Sequence, residues 1–510
     1  VQTLCIMSTK ALCDITEVLK LLTMHRTLRL VDQARRAASS IAVPPMPACD
    51  VTPEPYKGRS YEETMKIKRS NIAPTKVPAY SKPLLLTQGK MQWLWDDEGR
   101  RYLDMFAGIV TVSVGHCHPT VVGGLKEQLD EIWHTTNLYL TPPMHEYAEK
   151  LTSTLPDHLK VCFFTNSGSE ANDLAIALAR QYTSSFDVIS FRNAYHGGSP
   201  YSVGLTAHGT WKHSYPNGFG IHHSMNPDPY QGVWGGSKCR DSLVQADRQC
   251  GCDGECEAGE RYLEQLKEVL DYSVGGRPAA LFAEPVQGVG GVVQFPKKFL
   301  KKAYELIHER GGLCVSDEVQ TGFGRLGSHM WGFETHGVTP DIVTMAKGIA
   351  NGFPMGAVVT TKEIAQAFTG TLHLNTFAGN PLACTVASKV LDVIQGEDTM
   401  GLCRRVGERL IRGLATLRDE FNIVGDVRGK GLMLGVEMVQ DKGSRAPLSG
   451  PDMLEIWDNM KNMGLIVGKG GLRGNTFRLK PPMCITEEDA DFTIGVMRKC
   501  ISDFANNKAK

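Results

Sequence analysis

Between residues 160 and 360 the chain alternates short, almost wholly apolar runs with longer stretches of helical periodicity. The runs cover residues 161–164, 188–191, 279–283, 313–316, 342–345 and 357–360, and they are rich in Val, Ile, Leu, Phe and Ala rather than alternating apolar with polar. A strand of that kind is buried on both faces, so the region predicts a large, mostly parallel α/β sheet with helices on either side. Beyond it the pattern predicts helices near 381–395 and 400–421, strands over 431–438 and 476–479, and a last helix over 487–504, which together suit a smaller α+β domain. Upstream, residues 91–95 and 101–104 flank the turn Asp96-Asp97-Glu98-Gly99 and predict a β-hairpin.

The first 48 residues carry six basic side chains (Lys10, Lys20, Arg26, Arg29, Arg35, Arg36) against three acidic ones (Asp14, Glu17, Asp32). Leu21, Leu22, Leu28, Leu30, Val31 and Ala34 can share a helical face opposite the arginines, and Ala37-Ala38-Ser39-Ser40 follows. Residues 1–40 therefore read as a transit peptide addressed to the mitochondrial matrix, with an ordinary amphipathic arm as the alternative. Pro44, Pro45, Pro47, Pro53 and Pro55 then make a linker that cannot be helical.

Composition excludes whole classes of function. Lys+Arg and Asp+Glu number 55 each, giving zero formal net charge and a pI of about 7.3, so no basic footprint for nucleic acid is present. No apolar run reaches the ~18 residues of a membrane helix. With 42% hydrophobic residues over 510, the chain can bury a sizeable core. Its 14 cysteines sit among apolar neighbours, as at Cys162, Cys314 and Cys384, so reduced thiols are expected rather than a disulfide framework.

In an open α/β sheet a ligand lies outside the carboxyl ends of the strands, so the residues that end the apolar runs carry the most information. Four such ends are polar: Asn166-Ser167-Gly168-Ser169, Glu284-Pro285-Val286-Gln287, Asp317-Glu318-Val319-Gln320 and Lys347-Gly348. Singly, a strand-end carboxylate is a cap or half of an ion pair. Four on one sheet edge point to a site. Ser167 to Glu170 also opens a strong helix, whose free amides suit a phosphate, although the same residues form an ordinary capping pattern. No Gly-Lys-Ser/Thr follows, which excludes a Walker-type loop.

In their order and spacing, Asn166-Ser-Gly-Ser-Glu-Ala-Asn172, Tyr195-His196-Gly197, Glu284-Pro-Val-Gln-Gly288, Asp317-Glu-Val-Gln-Thr-Gly-Phe-Gly-Arg325, Lys347-Gly348 and Thr376-Phe-Ala-Gly-Asn-Pro381 resemble the class-III pyridoxal-phosphate aminotransferases of fold type I. The resemblance covers about residues 80–505. It implies an N-terminal linker and arm over 41–79, part of a small domain over 80–120, a large pyridoxal-phosphate-binding domain over 121–395 and a C-terminal small domain over 396–510.

The resemblance also implies roles. Lys347 would be the lysine that bonds the cofactor aldehyde and then shuttles the substrate's α-proton, with a pKa lowered by burial. Asp317 would face the pyridine nitrogen and keep it protonated, Gln320 the phenolic oxygen, and Tyr195 the ring face. Ser167, Gly168 and Ser169 would hold the phosphate, with Glu284 among the cofactor-binding set and His196 structural. Thr376 would reach the phosphate of a neighbouring subunit, so a homodimer or homotetramer is implied. Arg428 would grip the substrate carboxylate; the plain alternative is a turn arginine paired with Asp426. Val289 stands where ornithine and γ-aminobutyrate aminotransferases carry a glutamate that covers that arginine.

Gly115-His-Cys-His-Pro119, the segment from Glu284 to Val289 and the insert around Trp234-Gly-Gly-Ser-Lys-Cys-Arg-Asp241 are most similar to members that pass the amino group of alanine to glyoxylate in a ping-pong reaction, with β-aminoisobutyrate and other small amino acids as further substrates. The competing readings are a phospholyase or mutase of the same class, and a non-catalytic relative. Cys239, Cys250, Cys252 and Cys256 lie within eighteen residues of the insert, where they could hold one structural zinc ion or stay free.

Overall fold

The computed structural model describes residues 42–508 apart from 75–78, 215, 253–255 and 371; the expected transit peptide over 1–40 lies outside them. The proline-rich stretch runs without regular structure to a helix at Tyr61–Asn71. Three antiparallel strands follow, β1 (Leu86–Lys90), β2 (Trp93–Asp96) and β3 (Arg101–Asp104). The expected hairpin is β2–β3, closed by Asp96, whose Oδ1 accepts from the backbone amides of Glu98 and Arg100. β1 was not visible in the pattern because Leu-Thr-Gln-Gly-Lys has no apolar alternation.

The central sheet contains β4 (Val161–Thr165), β5 (Val188–Phe191), β6 (Ile221–Ser224), β7 (Ala280–Ala283), β10 (Leu313–Asp317), β11 (Ile342–Met345) and β12 (Gly356–Thr360). Between β7 and β10 lies a short antiparallel ribbon, β8 (Val286–Gln287) with β9 (Val293–Gln294). The strand order is β4-β12-β11-β10-β7-β5-β6; β12 is antiparallel to both neighbours and every other pair is parallel. Six of these strands are the six apolar runs. The seventh, β6, is Ile-His-His-Ser, in which His222 meets the Asp187 carboxylate at 3.0 Å and His223 Nε2 donates to the Gly204 carbonyl at 2.9 Å. Local partners for the histidines let a polar edge strand form.

Successive residues of a strand face opposite sides, and here each side has its own core. Ile189, Phe191, Leu281, Ala283 and Cys314 pack with Tyr262, Leu266, Phe299 and Ile307 of the helices Ala258–Ser273 and Phe299–Glu309. Val188, Ala280, Phe282, Leu313 and Val315 pack instead with Leu174 and Leu178 of the helix Gly168–Thr183. Two covered faces explain why the runs are apolar throughout.

After the helices Pro381–Gly396 and Thr399–Glu420 the chain forms β13 (Val424–Lys430), β14 (Met433–Met438), β15 (Leu465–Ile466), β16 (Gly468–Gly470) and β17 (Thr476–Leu479). β13, β14, β17 and β16 make an antiparallel sheet, while β15 pairs in parallel with β3 and ties the N-terminal meander to this region. The predicted strand over 431–438 begins instead at Met433, because Gly431 turns with φ +51° and an added Cβ would lie 2.5 Å from the Arg325 carbonyl oxygen. Helices Gly450–Asn462 and Glu487–Lys508 complete the layer. No helix among the described residues is long and apolar enough to cross a membrane.

Phe282 is fully buried in β7 between these layers. Phe282→Ala should cost about 3–5 kcal/mol of stability, read as a lowered unfolding midpoint, whereas Tyr272→Ala, at a side chain 88% exposed, should stay within about 0.5 kcal/mol of the parent.

Candidate active site

The polar strand ends converge on one cavity of about 260 Å³, lined by Ser167, Gly168, Ser169, Tyr195, Glu284, Asp317, Gln320 and Lys347, among others. β4 ends at Thr165, and Ser167 caps the next helix by accepting from the Glu170 amide at 3.2 Å. Glu170 in turn accepts from the Asn166 amide at 2.7 Å. Gly168 has to be small, since a Cβ there would sit 3.1 Å from both methyls of Val319. The amides of this helix N-terminus are therefore open toward the cavity, with the polarity that favours an anion.

Asp317 ends β10 and is 3% exposed. Its Oδ2 accepts from Asn172 Nδ2 and from His196 Nδ1, each at 2.8 Å, and its Oδ1 accepts from the Val319 amide at 3.1 Å. Glu284, at the end of β7, accepts from the amides of Tyr195 at 3.0 Å and Gly288 at 2.7 Å, and burial pushes its carboxyl above the ordinary range. Burial, then Asp317 and Glu284, raise the Tyr195 phenol as well.

Lys347 follows β11 in a left-handed backbone conformation, φ +49°, that opens a single 3₁₀ turn. A side chain larger than glycine is strained there, and the cost is sustained by contacts around it. Ser113 Oγ donates to the Gly348 carbonyl at 2.8 Å, and Asn351 bridges the Val114 amide and the Gly115 carbonyl. Burial lowers the Lys347 amine below its ordinary value, Asp317 and Glu284 oppose that shift, and Arg478 adds to it. The product is an amine that gives up its proton readily beside two carboxylates.

Two further buried cations come from β17 and its end. Arg478 donates to the carbonyls of Lys469 at 3.1 Å and Gly288 at 3.5 Å, leaves Nε without a partner, and is pulled down to about 10 by burial. Lys480 Nζ donates to Gln320 Oε1 at 2.7 Å and lies well below its ordinary value through burial and the nearby Arg478. Neither lines the cavity itself, but Arg478 acts electrostatically on Lys347 and Lys480 reaches the lining residue Gln320. With its open helix N-terminus the cavity is suited to bind an anionic group, and Lys347 can take or give a proton.

Arg428 is elsewhere. It is 2% exposed, and its Nη1 contacts Asp426 Oδ2 at 3.0 Å and Glu437 Oε2 at 2.7 Å while Nε donates to the carbonyls of Gly291 and Val292. Burial alone would lower its pKa, but Glu437, Asp426 and Asp228 overrule this and hold it above the ordinary range. It does not line the Lys347 cavity.

Residues 76–501 match the family described as aminotransferase class-III. The chain is 52% identical over 506 residues to the mitochondrial alanine–glyoxylate aminotransferase 2 of Homo sapiens, covering 98% of each. Among solved structures it resembles an amine transaminase from an uncultivated Pseudomonas species in a pyridoxal-phosphate-bound form, with TM-score 0.76, 31% identity and coverage of 84% of this chain and 98% of that one. It also resembles an Arthrobacter phospholyase in complex with phosphoethanolamine, with TM-score 0.77, 30% identity and coverage of 86% and 99%. The chain belongs to the class-III aminotransferases.

In this class-III aminotransferase Arg428, expected to grip the substrate carboxylate, makes the pairing with Asp426 that was its plain alternative, and strand register sets a second arginine beside it. Gly435 of β14 pairs with Arg428 on one side and with Arg478 on the other, so both arginines share one face of the sheet. Two residues before Arg428 on the same face is Asp426; two residues before Arg478 is Thr476. The first arginine is neutralised within its own strand, and the second is not. The Asp-x-Arg spacing is what made the pairing with Asp426 an alternative for Arg428; Arg478, in Thr-x-Arg, was not singled out. His196 and Asn172 were likewise not foreseen as the holders of Asp317, and Lys480 was missed altogether. Thr376 is exposed and lies outside the cavity lining.

Removing Arg428 would leave Asp426 and Glu437 buried with reduced compensation, so Arg428→Ala should lose about 3–5 kcal/mol in denaturant unfolding. Arg478→Ala leaves no carboxylate without an ion-pair partner among the described residues and should lose clearly less in the same measurement.

Proposed function

We propose that this chain is a pyridoxal-phosphate-dependent transaminase of the mitochondrial matrix that passes the amino group of alanine to glyoxylate, yielding pyruvate and glycine by a ping-pong mechanism. Small amino acids such as β-aminoisobutyrate would serve as further donors. The observation that carries this reading is the cavity in which a strained, buried Lys347 joins Asp317 and Glu284 at a helix N-terminus, with Arg478 near enough to act on the lysine. The names of the Homo sapiens and Arabidopsis thaliana relatives, each a mitochondrial alanine–glyoxylate aminotransferase 2 or its homologue, support the substrates and the compartment.

The residues present fit the cofactor. Ser167, Gly168 and Ser169 at the helix N-terminus would hold the phosphate, Asp317 the pyridine nitrogen, Gln320 the phenolic oxygen and Tyr195 the ring face. When bound, the cofactor supplies an electron sink for the charge that develops at the substrate's α-carbon. Lys347 Nζ, whose hold on a proton burial weakens, would take the α-proton and return it. His196 and Asn172 keep the Asp317 carboxylate aimed by donating to one oxygen of it. Arg478 would bind the carboxylate of both the amino acid and the oxo acid. Its reach to the Gly288 carbonyl puts it beside Val289, and a valine brings no charge to neutralise it.

A homodimer or homotetramer with shared sites accords with the apolar surface. Trp133, Leu138, Tyr139 and Leu140 are exposed, as are Leu372, Leu374 and Phe377 beside Thr376, and His134 and Phe377 rings meet at 5.7 Å to join the two segments. We assign Thr376 to the phosphate of a neighbouring subunit's site.

A donor-by-acceptor panel on the purified holoenzyme tests the reading. Alanine with glyoxylate should rank among the best pairs and ornithine among the poor donors. Release of inorganic phosphate from phosphoethanolamine in place of amino transfer would overturn it. Borohydride should fix the cofactor to one peptide containing Lys347, and Lys347→Ala should be inactive. Asp317→Asn should slow turnover by several decades, equivalent to a few kcal/mol of barrier.

A charge-assisted bond to a carboxylate is worth roughly 1.5–3 kcal/mol, so Arg478→Ala should lower kcat/KM about ten- to a hundredfold or more for both alanine and glyoxylate. Val289→Glu should impair the same two substrates by covering the guanidinium. Mixed oligomers of Lys347→Ala and Thr376→Ala subunits should recover activity that neither has alone, measured after co-expression and tandem purification.

A further inference from the structure

The geometry points to a structural zinc site in the insert between β6 and the helix Ala258–Ser273, formed by the sulfurs of Cys239, Cys250, Cys252 and Cys256. The Sγ atoms of Cys250, Cys252 and Cys256 all lie within 4.8 Å of one another. Cys252 and Cys256 are 3.9 Å apart, and four thiolates at the zinc–sulfur distance of about 2.3 Å on a tetrahedron have edges of about 3.8 Å. Cys239 completes the set because the structure joins it to Cys256 as a disulfide, with Cα atoms 5.2 Å apart. That one pairing, among otherwise free cysteines of the described residues, brings the fourth sulfur into the cluster.

The surroundings suit thiolates. The Glu257 amide donates to Cys252 Sγ at 3.3 Å, and the Arg248 guanidinium interacts electrostatically with Cys250. Ser237 donates its amide to the Arg248 carbonyl at 2.9 Å, and a Cβ at Gly236 would approach Cys250 Cβ at 2.9 Å, so the two arms of the insert close tightly around the sulfurs. A site with four protein ligands has no open position for chemistry. Its role follows from the next residue: Arg240, adjacent to Cys239, is completely buried and grips Asp426 of β13 through Nη1 at 2.6 Å and Nη2 at 3.1 Å. Zinc would fix the strap that carries this arginine across to the C-terminal sheet.

Loading requires the disulfide to open. A dithiol supplies two electrons and two protons, leaves as its own disulfide, and yields the Cys239 and Cys256 thiols; the four thiols then release four protons as Zn²⁺ binds.

The test uses the full chain produced with zinc and purified with a dithiol reductant. One zinc per chain by elemental analysis, with four sulfurs at about 2.3 Å in X-ray absorption, is the expected result. Cys252→Ser and Cys250→Ser should lose the metal and unfold at lower temperature, while Cys117→Ser, at an exposed position outside the cluster, should keep it. Wild-type protein that takes up no zinc when reduced, or stoichiometric zinc retained by either serine variant, would overturn the proposal. Should those variants not fold, cobalt-loaded wild type decides: a sulfur-to-cobalt charge-transfer band with intense tetrahedral visible bands supports the site, and their absence refutes it.

Discussion

The site depends on one buried carboxyl group that its neighbours hold in place. Asp317 sits where β10 leaves the sheet, nearly sealed from solvent, and three donors converge on its two oxygens. A buried polar group left without partners is costly, so converging donors fix this side chain in one orientation. Each donor comes from a different part of the sequence: Asn172 from the helix after β4, His196 from the loop after β5, Val319 from the turn after β10. The parallel order of the sheet is therefore what gathers the donors, since it delivers these strand ends to a single edge.

Two buried charge clusters in the protein show opposite designs. Around Asp426 and Glu437 the cations are Arg240 and Arg428, each paired with a carboxylate, with Asp228 near enough to act on Arg428 and Gln231 satisfying the remaining Glu437 oxygen at 2.7 Å. Those ion pairs hold the insert and the C-terminal sheet in one arrangement. Near Lys347, which sits in a strained conformation, no carboxylate pairs with Arg478 or Lys480 among the described residues. A folded protein tolerates unpaired buried cations only where something else completes them. The contrast between paired and unpaired cations separates scaffold from site without reference to any relative.

How much of this could be read from the chain divides along the same line. Apolar runs report burial, so six of the seven sheet strands were legible, and β6 was not because its histidines find local partners. The polar strand ends were legible because polarity at the end of a buried run is unusual; they gave Ser167, Glu284, Asp317 and Lys347 as a set, and the structure brings all four to one cavity. Choosing between Arg428 and Arg478 needed pairing register, which motif spacing does not carry. Only the alignment of Gly435 with each of them reveals that the two arginines share a face.

Asp426 and Glu437 stand on the sheet face that also carries Arg478, since Glu437 pairs with both Asp426 and Thr476. What separates the two arginines is their partners. Arg428 contacts both carboxylates, and Arg240 closes on both oxygens of Asp426. Arg478 has no carboxylate within ion-pair distance among the described residues and donates to the backbone carbonyls of Lys469 and Gly288. A buried guanidinium held by carbonyls keeps a charge that an anion could still pair with, whereas one held by carboxylates does not. Arg240 thus serves the fold, by clamping the insert to β13.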